Sequence, residues 1–437
     1  MAKARGGPWM IVAAGLALAA TSVRAAPNEV LPIEVTAYEV SITPDFQART
    51  IAGEERIRFR PGAGSGQVLR FSPNALQIDS ATVDGWPLLV GHTPEATRIA
   101  LTRPLTPGRE ATLTIRYHGV PARGLKFGKD AVWTEYFTCD WMICELDRPG
   151  EKALITLKLA VPQGMTSLAS GAQVSQKGLP GGAKLVTWRE TRPYSAYLYG
   201  FAIGRFERAK LGKGLTALSA VADEARLKRL FAQTPAMVAF FEDRAGVPLP
   251  GRYTSLLVEG DAAQEASSFS ILGLEGMKAQ EADPHEDWLP AHELAHQWWG
   301  NLITCRAWND LWIDEGLTVF MTAAWKEHRW GRGAFDHEMD LAKRRWDGLK
   351  KEAGRDYPLA WDAYPSLRAR RAIEYSKGAL FFDALRRELG DAVFWAGIKG
   401  YTQANAGRAV TGQDLKAAME KASGRDLSAT FRQWGAV

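Results

Sequence analysis

His292, Glu293, Leu294, Ala295 and His296 place two imidazoles four residues apart with a carboxylate between them. On a helix that spacing puts both rings on one face, so both can reach a single metal ion. Zinc suits the pair, because imidazole is a good ligand and the ion needs no redox chemistry. Glu293 lies about 100° round the helix from His292, beside such an ion, where a base for an activated water must stand. In a chain with seven His this pentapeptide arises by accident in roughly one case in a hundred, so its context carries the weight. Eighteen residues separate His296 from Glu315, which lies in Trp308-Asn309-Asp310-Leu311-Trp312-Ile313-Asp314-Glu315-Gly316. Two His and one carboxylate are the donor set of a catalytic zinc site, with the fourth tetrahedral position left to water. The other five His, at 92, 118, 285, 328 and 337, read as surface residues.

Bringing Glu315 back to the His pair requires two helices. Gly300 and Asn301 end the first, and Asn309 or Asp310 starts a second that returns antiparallel. Trp298, Trp299, Trp308, Trp312 and Trp325 recur at helical spacing and read as core that also keeps water from the metal. Further upstream, Asp223 caps a helix predicted to run to about Arg244. Before about Arg208 the period is two: Tyr38, Val40 and Ile42, then Leu113, Ile115 and Tyr117, then Ile155, Leu157, Leu159 and Val161 alternate with polar residues. The chain therefore reads as α+β, an N-terminal antiparallel β domain over 26–207 followed by a mainly helical catalytic domain over 208–437.

With 437 residues, 46% hydrophobic and 24% charged, the composition is globular and excludes disordered, collagen-like and disulfide-scaffold classes. No run reaches the roughly 20 apolar residues of a membrane span. Residues 1–25 have the layout of a cleavable signal peptide: Lys3 and Arg5, an apolar run from Trp9 to Ala20, then Val23 and Ala25 before the cut. The expected location is secreted or periplasmic, without stable membrane insertion after cleavage. Of the formal charge of +5, three units belong to Lys3, Arg5 and Arg24, which leaves little reason to expect a nucleic-acid partner. Cys139 and Cys144 are near enough in sequence to bridge or to remain as buried thiols, and Cys305 is the third.

HELAHQWWGNLIT followed by WNDLWIDEGLTVF is similar to the zinc signature of the aminopeptidase N family of gluzincin metallopeptidases, the membrane alanyl aminopeptidase family. Glu374-Tyr375-Ser376-Lys377-Gly378-Ala379 resembles the family's Tyr-x-Lys-Gly segment. Cys144 to Pro149 resembles its Asp-(Glu or Arg)-Pro element, and Tyr197 to Phe206 the strand that closes its β domain. The resemblance implies a thermolysin-like catalytic domain with one Zn2+ on His292, His296 and Glu315, and Glu293 as general base. Tyr375 is then the phenol that hydrogen-bonds the oxyanion. The family's exopeptidase motif has its counterpart in Ala262-Ala263-Gln264-Glu265-Ala266, where Gln264 and Ala266 stand in place of Met and Asn. Glu265 keeps the carboxylate that holds a substrate's α-ammonium, while Ala263 and Gln264 supply the loop against the substrate, and Glu275 also matches. Glu135 falls near the family's Gln or Glu that assists this anchor.

Thr322 stands where members carry an acid near the zinc helix, so its hydroxyl, or another residue, must orient His296. Arg368, Arg370 and Arg371 read first as a solvated helix face, with a site for a peptide carboxylate as the alternative. Longer members continue into a further helical domain beyond the position of Trp434 to Val437, so the expectation is a short form with an open cleft. Taken together, the sequence predicts a secreted zinc aminopeptidase acting on peptides with a free amino terminus. The rivals are a zinc endopeptidase or other zinc hydrolase and, from a different class, a non-catalytic binding module with a structural zinc.

Overall fold

The computed structural model describes residues 29–145 and 148–437. The leader expected over 1–25 lies outside the described residues, as do Leu146 and Asp147. Among the described residues no helix is long and apolar enough to cross a membrane.

The N-terminal half is built on a long hairpin of Ile33–Asp45 against Thr50–Pro61. Thr50–Pro61 pairs antiparallel with Ala111–Gly119, and alternate side chains are buried along all three strands. Val40, Ile42, Ile57, Phe59, Leu113 and Ile115 are at most 1% exposed, and each contributes about 1.5–3 kcal/mol by leaving water. One pairing departs from the antiparallel expectation: Lys152–Val161 runs parallel to Ile33–Asp45, with Ala37 opposite Leu154. Such a pairing needs a long crossover, which the segment between 62 and 151 provides. A four-stranded sheet, Thr166–Ala169, Phe201–Gly204, Ala131–Thr134 and Leu125–Phe127 in that order, packs nearby. Cys139 and Cys144 are bridged, with Cα atoms 5.0 Å apart, and Cys305 is a buried free thiol.

From Glu207 a five-stranded sheet begins, in the order Glu207–Gly212, Leu215–Ser219, Tyr253–Val258, Phe269–Gly273 and Ala263–Gln264. Its edge is the two-residue strand Ala263–Gln264, antiparallel to Phe269–Gly273. Asp223 accepts from the Arg226 amide at 2.7 Å as an N-cap. Its helix, however, is only Glu224–Leu230; a second helix, Thr234–Ala245, starts at Thr234-Pro235. Pro235 lacks an amide hydrogen and fits a first turn, not a helix interior, which divides the single helix that periodicity suggests.

The remaining chain is mostly helical. Trp288–Ala295 carries the HExxH residues, Leu311–Trp330 returns with Glu315, and Gly378–Leu389 packs against the latter. Before Gly378, residues Arg371–Lys377 form a π-helical turn, a form that recurs at functional sites. Trp298, Trp299, Trp312, Phe320, Phe381 and Phe382 fill the core between these helices. Gly316 and Gly378 form their closest approach: a Cβ on Gly316 would lie 2.7 Å from the Gly378 Cα and 2.9 Å from the Glu374 carbonyl oxygen. Neither backbone can yield without parting the helices. Gly316→Ala is therefore expected to destabilise the fold by about 1–3 kcal/mol, whereas Gly348→Ala, with open space at its Cβ, should be neutral or stabilising by about 0.5–1 kcal/mol. Thermal denaturation of the two variants checks the contrast.

Candidate metal centre

The HExxH helix ends at Ala295, and the chain turns back through Gly300, which has φ 121°. A Cβ there would sit 2.7 Å from His296 Nδ1, so glycine is required both by the backbone and by the imidazole beside it. Leu311–Trp330 then delivers Glu315 in its second turn. The Nε2 atoms of His292 and His296 are 3.2 Å apart, and Glu315 Oε2 lies 3.5 Å from the first and 3.4 Å from the second. An ion held tetrahedrally at about 2.0–2.1 Å from each ligand needs ligand atoms about 3.3–3.4 Å apart. The three separations fit zinc, and Glu315 Oε2 is buried without a hydrogen-bond partner. No other group of three or more His, Cys, Asp or Glu among the described residues has such geometry.

The rings are held from behind. His296 Nδ1 donates to the Trp299 carbonyl at 2.9 Å, which turns Nε2 towards the shared centre, and Thr318 Oγ1 lies 3.3 Å from Nδ1. Thr322, considered for this role from sequence, instead donates to the Thr318 carbonyl within its own helix. A backbone carbonyl thus orients His296, something no residue type could signal. His292 stacks on Trp288 at 4.4 Å and 13°.

All these groups are buried, and their protonation follows from that. Burial lowers His292 to about 4. Burial also disfavours a charged His296, yet the carboxylates of Glu315, Glu265 and Glu293 outweigh it and raise this imidazole to about 10. Glu315 is buried too, but the two imidazoles hold it far below the usual carboxylate range. Glu293 is pushed well above that range, first by desolvation and then by the charges of Glu265 and Glu315. Glu265 is raised for the same reasons, desolvation foremost.

Glu265 is 7% exposed, and the loop that presents it is tied to the HExxH segment. Asn301 Nδ2 donates to the carbonyls of Glu265 at 3.1 Å and Ala266 at 3.3 Å. Gln297 Nε2 donates to the Ala266 carbonyl at 3.0 Å, and its Oε1 accepts from the Ser268 amide at 3.0 Å. Gln297 and Asn301 both lie inside the long motif, yet residue type suggests no such role for Gln297 and for Asn301 only that of ending the helix. The replacement of Asn by Ala at 266 leaves these bonds intact, because they use main-chain oxygens. Ala263 is half-buried at the sheet edge, and the Gln264 amide is buried beneath it.

Tyr375 Oη donates to Glu315 Oε1 at 2.7 Å, which places the phenol at the metal site. Glu135 points elsewhere: its carboxylate accepts from Trp133 Nε1 at 3.2 Å and faces Lys126 Nζ at 3.8 Å. Its neighbour Tyr136 is the one that faces the cleft, donating its hydroxyl to the Ala263 carbonyl. Glu135 and Tyr136 both lie just past the strand Ala131–Thr134, where alternation no longer fixes which side chain turns to the cleft. Glu275 is exposed and paired with Lys278. Of the five bland His, none joins the metal set; His285 packs on Trp330 and His328 on Phe240.

Residues 276–434 match the family model described as the peptidase family M1 domain. The chain is 27% identical over 309 residues to probable aminopeptidase 2 of Sulfurisphaera tokodaii, covering 66% of this chain and 39% of that protein. It is 26% identical over 445 residues to aminopeptidase N of Escherichia coli K12, covering 91% of this chain and 48% of that protein. The chain spans about half the length, or less, of these curated relatives. Its fold is that of the M1 zinc metallopeptidase from Deinococcus radiodurans, with TM-score 0.74 and 22% identity over 93% of this chain and 94% of that one. A mutant of a two-domain M1 zinc metallopeptidase bound to L-tryptophan aligns with TM-score 0.75, also at 22% identity, over 93% of this chain and 94% of that one.

A metal seated on these ligands must displace the proton that His296 holds below about pH 10. Zinc affinity of the metal-free protein is therefore expected to fall about tenfold per pH unit between pH 9 and 7. Calorimetric titration in buffers of different ionisation enthalpy should show about one proton released per ion from His296; a flat profile would contradict this protonation state.

Proposed function

We propose that the chain, whose residues 276–434 match the peptidase family M1 domain, is a zinc aminopeptidase that removes the first residue of peptides with a free amino terminus. One Zn2+ would be held by His292, His296 and Glu315. Bound there, zinc supplies Lewis acidity towards a water molecule and the scissile carbonyl. Glu293 would act as the base that accepts a proton from the attacking water and returns it to the leaving amine, a role that suits a carboxyl whose surroundings raise its proton affinity. The Tyr375 hydroxyl, next to Glu315 Oε1, donates to the oxyanion as charge develops.

The observation that carries the exopeptidase reading is Glu265. It is a buried carboxylate on a loop whose carbonyls at 265 and 266 accept from the Asn301 side chain, in the segment that bears the metal ligands, and it shares a charge environment with Glu293 and His296. An α-ammonium gains most from a fixed, desolvated anion of this kind, whereas an endopeptidase substrate presents only neutral amide groups there. Ala263 and Gln264 form the strand edge along which the substrate backbone lies. The leader over 1–25 and export to a secreted or periplasmic location belong to the same proposal. The Cys139–Cys144 bridge supports it, since such bonds persist in oxidising compartments.

A panel of unblocked aminoacyl reporter amides, each beside its N-acetylated form and with or without chelator, tests this reading. Cleavage of the unblocked set alone, abolished by chelator, is expected; equal cleavage of acetylated substrates would make the enzyme an endopeptidase. Glu265→Gln should lower kcat/KM on unblocked substrates by about a hundredfold, the size of a lost buried ion pair. Glu293→Gln should lower kcat by about 10²–10⁴-fold with zinc content unchanged. A binding module with a structural zinc would instead keep both its metal and its function in that variant.

A further inference from the structure

The three arginines before Tyr375 have different fates. Arg368 is exposed and pairs with Glu352 at 3.1 Å, while Arg370 pairs with the buried Glu374 side chain, four residues on, at 2.7 Å. Arg371, the first residue of the π-helical turn, is exposed, and its side chain makes no hydrogen bond or ion pair among the described residues. It lies four residues before Tyr375, about one helical turn away and on the same side. Tyr375 reaches Glu315 Oε1 at 2.7 Å, so that side borders the metal site. Tyr136, 44% exposed at the cleft wall with its hydroxyl turned onto the Ala263 carbonyl, is the common neighbour. Its hydroxyl is held well above the usual phenol range, first by desolvation and then by Glu265, Glu293 and Glu315, and the guanidinium of Arg371 acts against them.

The cleft is thus electrically polarised: anions cluster at Glu265, where an amino terminus would dock, and an unpaired cation stands at its mouth beyond Tyr375 and Tyr136. A short peptide with both termini free has the matching dipole. We infer that Arg371 receives the C-terminal carboxylate of the substrate, making the site selective for short free-acid peptides. This rests on the aminopeptidase reading above and specifies its substrate class. A guanidinium presents a planar fork of donors that fits a carboxylate, and an exposed ammonium at the same place would bind it less well.

The test compares di-, tri- and tetra-alanine as free acids and as C-terminal amides, with an alanyl anilide, which has no carboxylate, as control. In the native enzyme at least one free acid should show a KM about tenfold below that of its amide, the worth of one charge-assisted hydrogen bond. Arg371→Gln should raise that KM about tenfold and abolish the free-acid preference, Arg371→Lys should restore part of it, and Arg368→Gln should leave it in place. Equal KM for acids and amides at all three lengths overturns the proposal. So does an Arg371→Gln loss as large on the anilide as on the free acids, which would mark a packing role. If the native enzyme cleaves neither the anilide nor any of the peptides, the aminopeptidase reading itself fails. Cleavage of the anilide with no acid preference removes only the role of Arg371.

Discussion

Three carboxylates, Glu265, Glu293 and Glu315, and two imidazoles, His292 and His296, are buried together at 2–7% exposure. Carboxylates placed this way repel one another and lose their hydration, a cost of several kcal/mol per charge unless a cation is shared among them. Two protonation patterns express this constraint without a metal: His296 retains a proton to about pH 10, while Glu293 is driven towards its neutral form. A dication on the His292, His296 and Glu315 atoms satisfies the same charges at once, which is why the geometry of those three matches a tetrahedral ion. Everything else in the helical half can be understood as holding repelling groups within reach of a common centre.

That holding is done largely by glycines and main-chain oxygens. Gly300 clears the His296 ring, and the Gly316–Gly378 contact lets the Glu315 helix and the Tyr375 segment approach closely enough for Tyr375 Oη to reach Glu315 Oε1. The Trp299 carbonyl fixes the His296 tautomer, and the carbonyls of Glu265 and Ala266 accept the side chains of Asn301 and Gln297. Because the anchor loop is secured through its backbone, side chains at 264 and 266 are free to differ from the family motif without releasing Glu265.

Much of this was legible in the residues. The HExxH spacing and the return to Glu315 follow from helical geometry, and the β half follows from period-two alternation in Val40, Ile42, Leu113 and Ile115. What was hidden shares a cause: it depends on main-chain atoms or on side-chain direction. Thr322 looked like the partner of His296 because side chains were the only candidates visible, whereas the partner is a carbonyl. Glu135 resembles the anchor's helper by type; its carboxylate meets Trp133 and Lys126, and it is the neighbouring Tyr136 whose hydroxyl reaches the Ala263 carbonyl. The helix predicted from Asp223 to Arg244 was divided by Pro235, whose consequence periodicity alone does not weigh.

The cleft also depends on the β half. Lys152 reaches across to donate to the carbonyls of Asn301 at 3.4 Å and Leu302 at 3.1 Å, and its burial lowers the ammonium to about 8. Tyr197 packs on Trp308 with ring centres 5.3 Å apart, and Tyr136 bonds the anchor strand itself. These contacts converge on the end of the HExxH segment and on the Glu265 loop, not on the metal ligands. The division of labour follows from that placement: the helical half sets the chemistry by fixing charges that cannot move apart, while the β half sets one wall of the cleft. A change in that wall would therefore reshape the cleft without disturbing the charge balance around His292, His296 and Glu315.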